Sequence, residues 1–308
     1  MNRRSFLLRS ASIPLLAGPY FAFSRHARLF DPLENVPQTG SFDLVALRGG
    51  EPAAMFDKGI EALGGIQQFV KAGQKVVVKP NIGWDVGPER AANTNPQLIA
   101  HIVKRCYDAG AKQVLVFDHT CDNWQGCYKN SGIESAVREA GGTVAPGHSE
   151  RYYHDVTVAD GKNLKKSKVH ELILESDVFI NVPVLKSHSS TKVTITMKNL
   201  MGIVWDRGEW HANDLHQCIA DFAVCKKPDL NIVDAYTVMK RNGPRGVSVG
   251  DVVTMKSMLI STDMVAADVA GAKLFGVNPD AVPYIQIAAE KGVGRKDLER
   301  LNIKKIVL

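Results

Sequence analysis

Two hydrophobic periods alternate along this chain. Short apolar runs of strand length are followed by segments whose apolar residues recur at helical spacing. "FDLVAL" (Phe42 to Leu47) predicts a first strand. Ala53 to Val70 predicts a helix, with Phe56, Ile60, Leu63, Ile66 and Val70 near one face. "QKVVVKPN" predicts a strand whose unbroken apolar run, Val76 to Val78, suits a sheet covered on both sides. "NPQLIAHIVKRCYDAG" opens with Asn95 as a cap and Pro96 in the first turn, and closes at Gly110. "KQVLVFD" is the next strand, and Ile133 to Ala140 a short helix closed by Gly141 and Gly142.

"SDVFINVPVL" and "LNIVDA" return to strand character, and "GDVVTMKSMLIST" supplies one or two more strands. Helices are expected over Asn213 to Lys226, Asp263 to Phe275 and Pro283 to Lys291, with Gly276 closing the second. Residues 144–172 mix polar turns with edge-strand signals and read as a small insertion or hairpin. Repeated strand–helix units predict an α/β fold: a largely parallel or mixed β-sheet covered by helices on both faces. Residues 40–308 are expected to form a single domain.

Composition adds limits. The chain has 308 residues, 45% hydrophobic and 23% charged, enough to bury a large core. Its formal charge is +6, but the basic residues form only short mixed runs such as Lys162 to Lys168. Nucleic-acid binding needs a concentrated patch, so it is not expected. Residues 1–24, MNRRSFLLRSASIPLLAGPYFAFS, place Arg3 and Arg4 before a weakly apolar run, with Ala22 and Ser24 near a plausible cut. This resembles a twin-arginine signal peptide, an export address that is read and usually removed. The reading places the protein in the periplasm or otherwise exported. An uncleaved anchor is the alternative, but Pro14, Gly18 and Pro19 interrupt a run already short for a membrane span. No stable transmembrane segment is expected after cleavage.

Polar residues stand where predicted strands end, the place where open α/β sheets bind ligands. Lys79 and Asn81 follow one strand, Asp118 and His119 a second, Lys186 and His188 a third, and Asp234 a fourth. Lys186 and Lys198 end apolar runs, and a buried lysine requires a carboxylate or a bound anion. Hydroxyl and ammonium donors cluster near Lys186, in Ser187, Ser189, Ser190 and Thr191. One reading makes Lys186 and Lys198 an anion clamp, with Asn81 and Asn199 orienting the ligand and Gly202 allowing close approach. The other makes them salt-bridge partners of Asp118, Asp234 or Asp206. His188 and His211 are candidate proton-transfer groups, with Asp118 or Asp234 orienting them. Trp84, Trp205 and Trp210 wall a pocket or simply pack.

The metal question stays open. Asp118, Asp234 and Asn81 suit magnesium by type, and His119, Cys121 and Cys127 form a mixed set. Neither has the spacing of a structural zinc site. Cys121 and Cys127 are alternatively a disulfide, while Cys106, Cys218 and Cys225 lie on helical core stripes. No phosphate-binding lysine loop, GxSxG elbow or dinucleotide fingerprint is present.

In combination, "VVVKPNIG", "AGAKQVLVFD", "NVPVLKSH", "TMKNLMGIVWD" and "NIVDA" resemble the DUF362 family, a domain of unknown function, over roughly Lys75 to Gly292. The resemblance draws attention to Asn81, Asp118, Lys186, His188, Lys198, Asn199, Gly202 and Asp234. Some members carry an added ferredoxin-like module with clustered cysteines. This chain has no such run, so its cysteine spacing does not support an intrinsic iron–sulfur cluster. The resulting expectation is an exported protein that binds a small anionic ligand or an unidentified cofactor, with a redox-related enzymatic role. The alternatives are a non-catalytic periplasmic binding module, or an assembly module with an exported redox protein as partner.

Overall fold

A computed structural model describes residues 42–308. The twin-arginine segment lies outside those residues. The chain begins with β1 (Leu44–Arg48), α1 (Pro52–Ala62), β2 (Lys75–Pro80), α2 (Pro96–Asp108), β3 (Gln113–Val116), α3 (Trp124–Asn130), α4 (Ile133–Glu139) and β4 (Thr143–Val144). Next come β5 (Tyr153–Thr157), β6 (Lys166–His170), α5 (Glu171–Glu175), β7 (Val178–Val182), β8 (Val184–His188), β9 (Lys192–Thr194) and α6 (Thr196–Asn199). The last part contains α7 (Arg207–Ala212), α8 (Leu215–Cys225), β10 (Leu230–Met239), β11 (Val252–Ser261), α9 (Met264–Phe275), α10 (Pro283–Glu290) and β12 (Ile303–Val307).

One ten-stranded sheet runs in the order β12-β1-β11-β10-β7-β2-β3-β4, with β8 and β9 continuing beside β10. It is a mixed sheet. β2, β3, β4, β7 and β10 are mutually parallel, whereas β11 is antiparallel to both β1 and β10. "GDVVTMKSMLIST" is thus one long strand rather than two. β5 and β6 form a separate antiparallel pair within residues 144–172.

The period-two alternation of each strand divides the core into two layers. Val76 and Val78 pack with Phe56, Ile99, Ile102 and Val137 from α1, α2 and α4. Val77, between them, faces the opposite layer with Phe222, Val265 and Ile285 from α8, α9 and α10. This is the α/β sandwich expected from sequence.

Local signals explain most boundaries. Asn95 Oδ1 accepts from Gln97 N and Leu98 N at 2.9 and 3.2 Å, capping α2. Gly276 ends α9 at φ +90°. The helix expected over Ala53 to Val70 stops earlier, at Ala62. Gly64 and Gly65 both take φ +92°, which breaks the helical path, and a short 3-10 turn carries Ile66 back into the core.

Candidate functional site

β2 and β3 end side by side, and each delivers a charge. Lys79 is 0% exposed, and its Nζ lies 3.0 Å from Asp118 Oδ1. Asp118 is fixed on its other oxygen by Ile82 N at 2.6 Å. Its own backbone N–H donates to the Tyr128 hydroxyl at 2.7 Å, and that hydroxyl donates back to Asp118 O at 2.9 Å. The buried cation therefore has a buried and immobilised counter-charge.

From this pair a chain of amides leads outward. Asn199 Oδ1 accepts from Lys79 Nζ and from Asn81 Nδ2, both at 2.9 Å. Asn199 Nδ2 donates to Asn181 Oδ1 at 2.9 Å. Lys186 Nζ donates to Asn81 Oδ1 at 2.9 Å and to Ala92 O. Asn199 is held in place by Asp268, whose carboxylate accepts from Thr196 N and Met197 N at 2.7 and 3.2 Å and so caps α6. Burial pushes the Asp268 carboxyl up to about 7 against those hydrogen bonds. Gly202 lies close over the ion pair. A Cβ there would fall 1.8 Å from Asp118 Oδ1 and 2.5 Å from Lys79 Nζ, so close approach alone demands glycine.

Two further cations face the same space. Lys198 Nζ meets the Met201 thioether at 3.1 Å and no carboxylate. Arg207, the first residue of α7, donates to His119 O at 2.8 Å, to Thr120 O at 2.6 Å and to Cys121 Sγ at 3.5 Å. Among the described residues, Lys186, Lys198 and Arg207 have no carboxylate within ion-pair distance. The result is a cleft of about 430 Å³ beyond the strand ends, with Asp118 the one carboxylate among the described residues that line it.

The titrations reflect this imbalance. Burial pushes Lys186 down to about 7, and Lys198 and Lys79 push the same way. Lys198 is lowered to about 8 by burial, with Arg207 and Lys79 adding to it. His188 falls to about 3 through burial and the two nearby lysines. His119 falls to about 4 through burial and Arg207. His211 is lowered by burial, then by Lys198 and Arg207. His188 and His119 are therefore neutral near pH 7, and the backbone selects their tautomers. His119 Nδ1 must donate to Val204 O at 2.9 Å, leaving a lone pair on Nε2. His188 Nδ1 accepts from Ser190 N at 3.1 Å, leaving its proton on Nε2.

Asn81, Asp118, Lys186, His188, Lys198, Asn199, Gly202 and His211 all line the cleft. Asp234 does not. Alternation along β10 turns it to the other face, where it accepts from Asn95 N at 2.8 Å and Tyr236 N at 3.1 Å. Burial raises it to about 6. It braces the start of α2 and orients no histidine in the cleft. The magnesium set that needed it is not assembled, and no group of three or more His, Cys, Asp or Glu among the described residues is arranged to hold a metal. The Cys121–Cys127 disulfide is also absent: both thiols are free, Cys121 exposed and Cys127 buried with its sulfur 3.6 Å from Gly83 O.

Of the tryptophans, Trp84 lines the cleft. Trp205 stacks on His119 at 4.7 Å, and Trp210 is fully buried against Phe222. Sequence reasoning gave Arg207 no role, and no apolar run marks it. It placed Lys79 at a strand end beside the crevice but did not pair it with Asp118, although Lys79 ends an apolar run just as Lys186 does.

The fold and site define an α/β protein with a cation-rich cleft beyond the carboxyl ends of its strands. The sequence matches the family profile described as domain of unknown function (DUF362) over residues 76–273, and the chain belongs to that family. A thylakoid-associated protein of Synechocystis sp. is 27% identical over 243 residues, which span 76% of this chain and 73% of the relative. Among solved structures, the lactate racemase apoprotein of Thermoanaerobacterium thermosaccharolyticum aligns with a TM-score of 0.48 and 13% identity, over 74% of this chain and 56% of that one. A Thermotoga maritima protein aligns with a TM-score of 0.38 and 12% identity, over 78% of this chain and 60% of that one.

Proposed function

We propose that the cleft binds a small organic anion or an anionic cofactor group through Lys186, Lys198 and Arg207. One observation carries this reading: three cations converge on one cleft in which the single carboxylate among the described lining residues is already engaged by Lys79. Asn81 solvates Lys186 without neutralising it, and Asn199 does the same for Lys79. The two histidines favour proton transfer on the bound ligand, since His119 offers a lone pair and His188 an N–H. A redox role requires a cofactor, because these side chains carry no electrons alone.

The protein is proposed to act after export, with residues 1–24 as a twin-arginine signal and residues 40–308 as the single α/β domain of the mature chain. No helix among the described residues is long and apolar enough to cross a membrane. The thylakoid-associated relative supports a location at or beyond a membrane. Calorimetry with inorganic phosphate, pyrophosphate and small carboxylates tests the binding reading. Saturable binding that is lost in Lys186→Met is expected, and no binding by any of these anions would overturn it.

A further inference from the structure

We propose that Cys121 is a covalent nucleophile of this cleft, acting on electrophiles that carry an anionic group. The inference rests on the anion-binding reading and adds a reacting atom to it.

Cys121 differs from every other cysteine in the chain. Cys106, Cys127 and Cys218 are buried and Cys225 is half-buried, whereas Cys121 is exposed at the cleft wall. Burial pushes the Cys106 and Cys127 thiols up to about 12 and Cys218 up to about 11, so those three are chemically quiet. The Cys121 backbone is pinned by its N–H to Gly83 O at 2.8 Å. Arg207 grips the two preceding carbonyls and donates to the sulfur itself. Cys121 shares the lining of the cleft with Lys186 and Lys198.

A separate observation points to a ligand. Thr194 Oγ1 is buried, 3% of the residue being exposed, and it has no hydrogen-bond partner although Thr194 lines this cleft. A buried hydroxyl without a partner is costly, and a bound acceptor would satisfy it. An electrophile anchored by its anionic end to the lysines and Thr194 would present its carbon to Cys121. In the reaction the sulfur lone pair forms an S–C bond. The leaving group departs with the electrons of its own bond to that carbon, and the thiol proton passes to solvent.

Iodoacetate and iodoacetamide form a matched pair of probes, alike in mechanism and different in charge. The full chain would be treated with each, and label at every cysteine followed by peptide mass, with glutathione as the reference thiol. Cys121 is expected to be labelled first. Its iodoacetate-to-iodoacetamide rate ratio should exceed that of glutathione by about tenfold, the effect of one nearby uncancelled cation. Inorganic phosphate should slow the iodoacetate reaction, and Lys198→Met should bring the ratio back toward that of glutathione. First labelling at another cysteine overturns the proposal. So does calorimetric phosphate binding alongside a Cys121 that reacts no faster than glutathione, a result that leaves the anion reading standing. Fast labelling by both reagents without charge preference overturns it as well, and removes the anion reading with it.

Discussion

Lys198→Met separates binding from stability more cleanly than any other substitution in this protein. The lysine meets only a thioether, so removing its charge breaks no ion pair. At about 4 Å from a bound monoanion and an effective dielectric of about 20, one cation contributes about 4 kcal/mol. Counter-ions and ligand desolvation reduce that to about 1.5–2 kcal/mol. Affinity should fall about 10–30-fold. Methionine has similar length and no desolvation cost, so the ligand-free variant should be as stable as the parent or about 1 kcal/mol more stable. For a domain of this size that is a rise in Tm of about 2–4 °C.

The pH dependence follows from the same charge. With its pKa near 8, Lys198 is protonated in about nine molecules of ten at pH 7 and about one in ten at pH 9. Anion binding should therefore weaken as pH rises from 7 to 9, and this fall should be shallower in the variant. Without ligand the sign reverses. The folded pKa lies below the ordinary lysine value of 10.5, so the unfolded chain binds more protons between about 8 and 10.5 and parent stability rises with pH through that window. Calorimetry and thermal melts at matched pH read both effects. Unchanged affinity together with a lower Tm would refute the reasoning, since it would make Lys198 a structural residue.

Other outcomes follow from the same geometry. Phosphate binding near pH 7.5 should take up protons, because the anion raises Lys186 and Lys198 from about 7 and about 8; titrations in buffers of different ionisation enthalpy measure the uptake. Gly202→Ala should destabilise the fold by about 2–4 kcal/mol in urea unfolding, because its Cβ cannot coexist with the Lys79–Asp118 pair. Asp118→Asn leaves Lys79 buried without counter-charge and should cost about 3–5 kcal/mol in the same assay. Asp234→Asn should leave phosphate affinity unchanged, since that carboxyl faces α2 rather than the cleft.

Much of the architecture was legible because period and punctuation agree. Val76 to Val78 reads as a doubly covered strand, and Asn95-Pro96 reads as a helix start. The early end of α1 was visible too, in Gly64 and Gly65, but its apolar spacing continues past them to Val70 and masked the break. The convergence of Lys186 and Lys198 on one cleft was legible because lysines that end apolar runs need a reason to be there. Arg207 was not, because it reaches the cleft from a short helix and holds it through backbone carbonyls, which leave no trace in residue type. Asp234 misled for a simpler reason. The strand-end rule places a residue along the sheet but does not say which face it takes, and one step of alternation sends it away.

Asn181, Asn199 and Asn81 behave like water frozen into the protein. Asn199 accepts from the Lys79 ammonium and Asn81 from that of Lys186, yet these amides carry no net charge, so the positive potential of the cleft survives the wiring that holds it together. The sign of the site therefore hangs on amide chemistry. Deamidation of Asn199 to aspartate would set a carboxylate against Lys79 and turn the donor facing Asn181 Oδ1 into an acceptor, so an aged or hydrolysed molecule would hold its wiring less firmly and pull on anions less strongly.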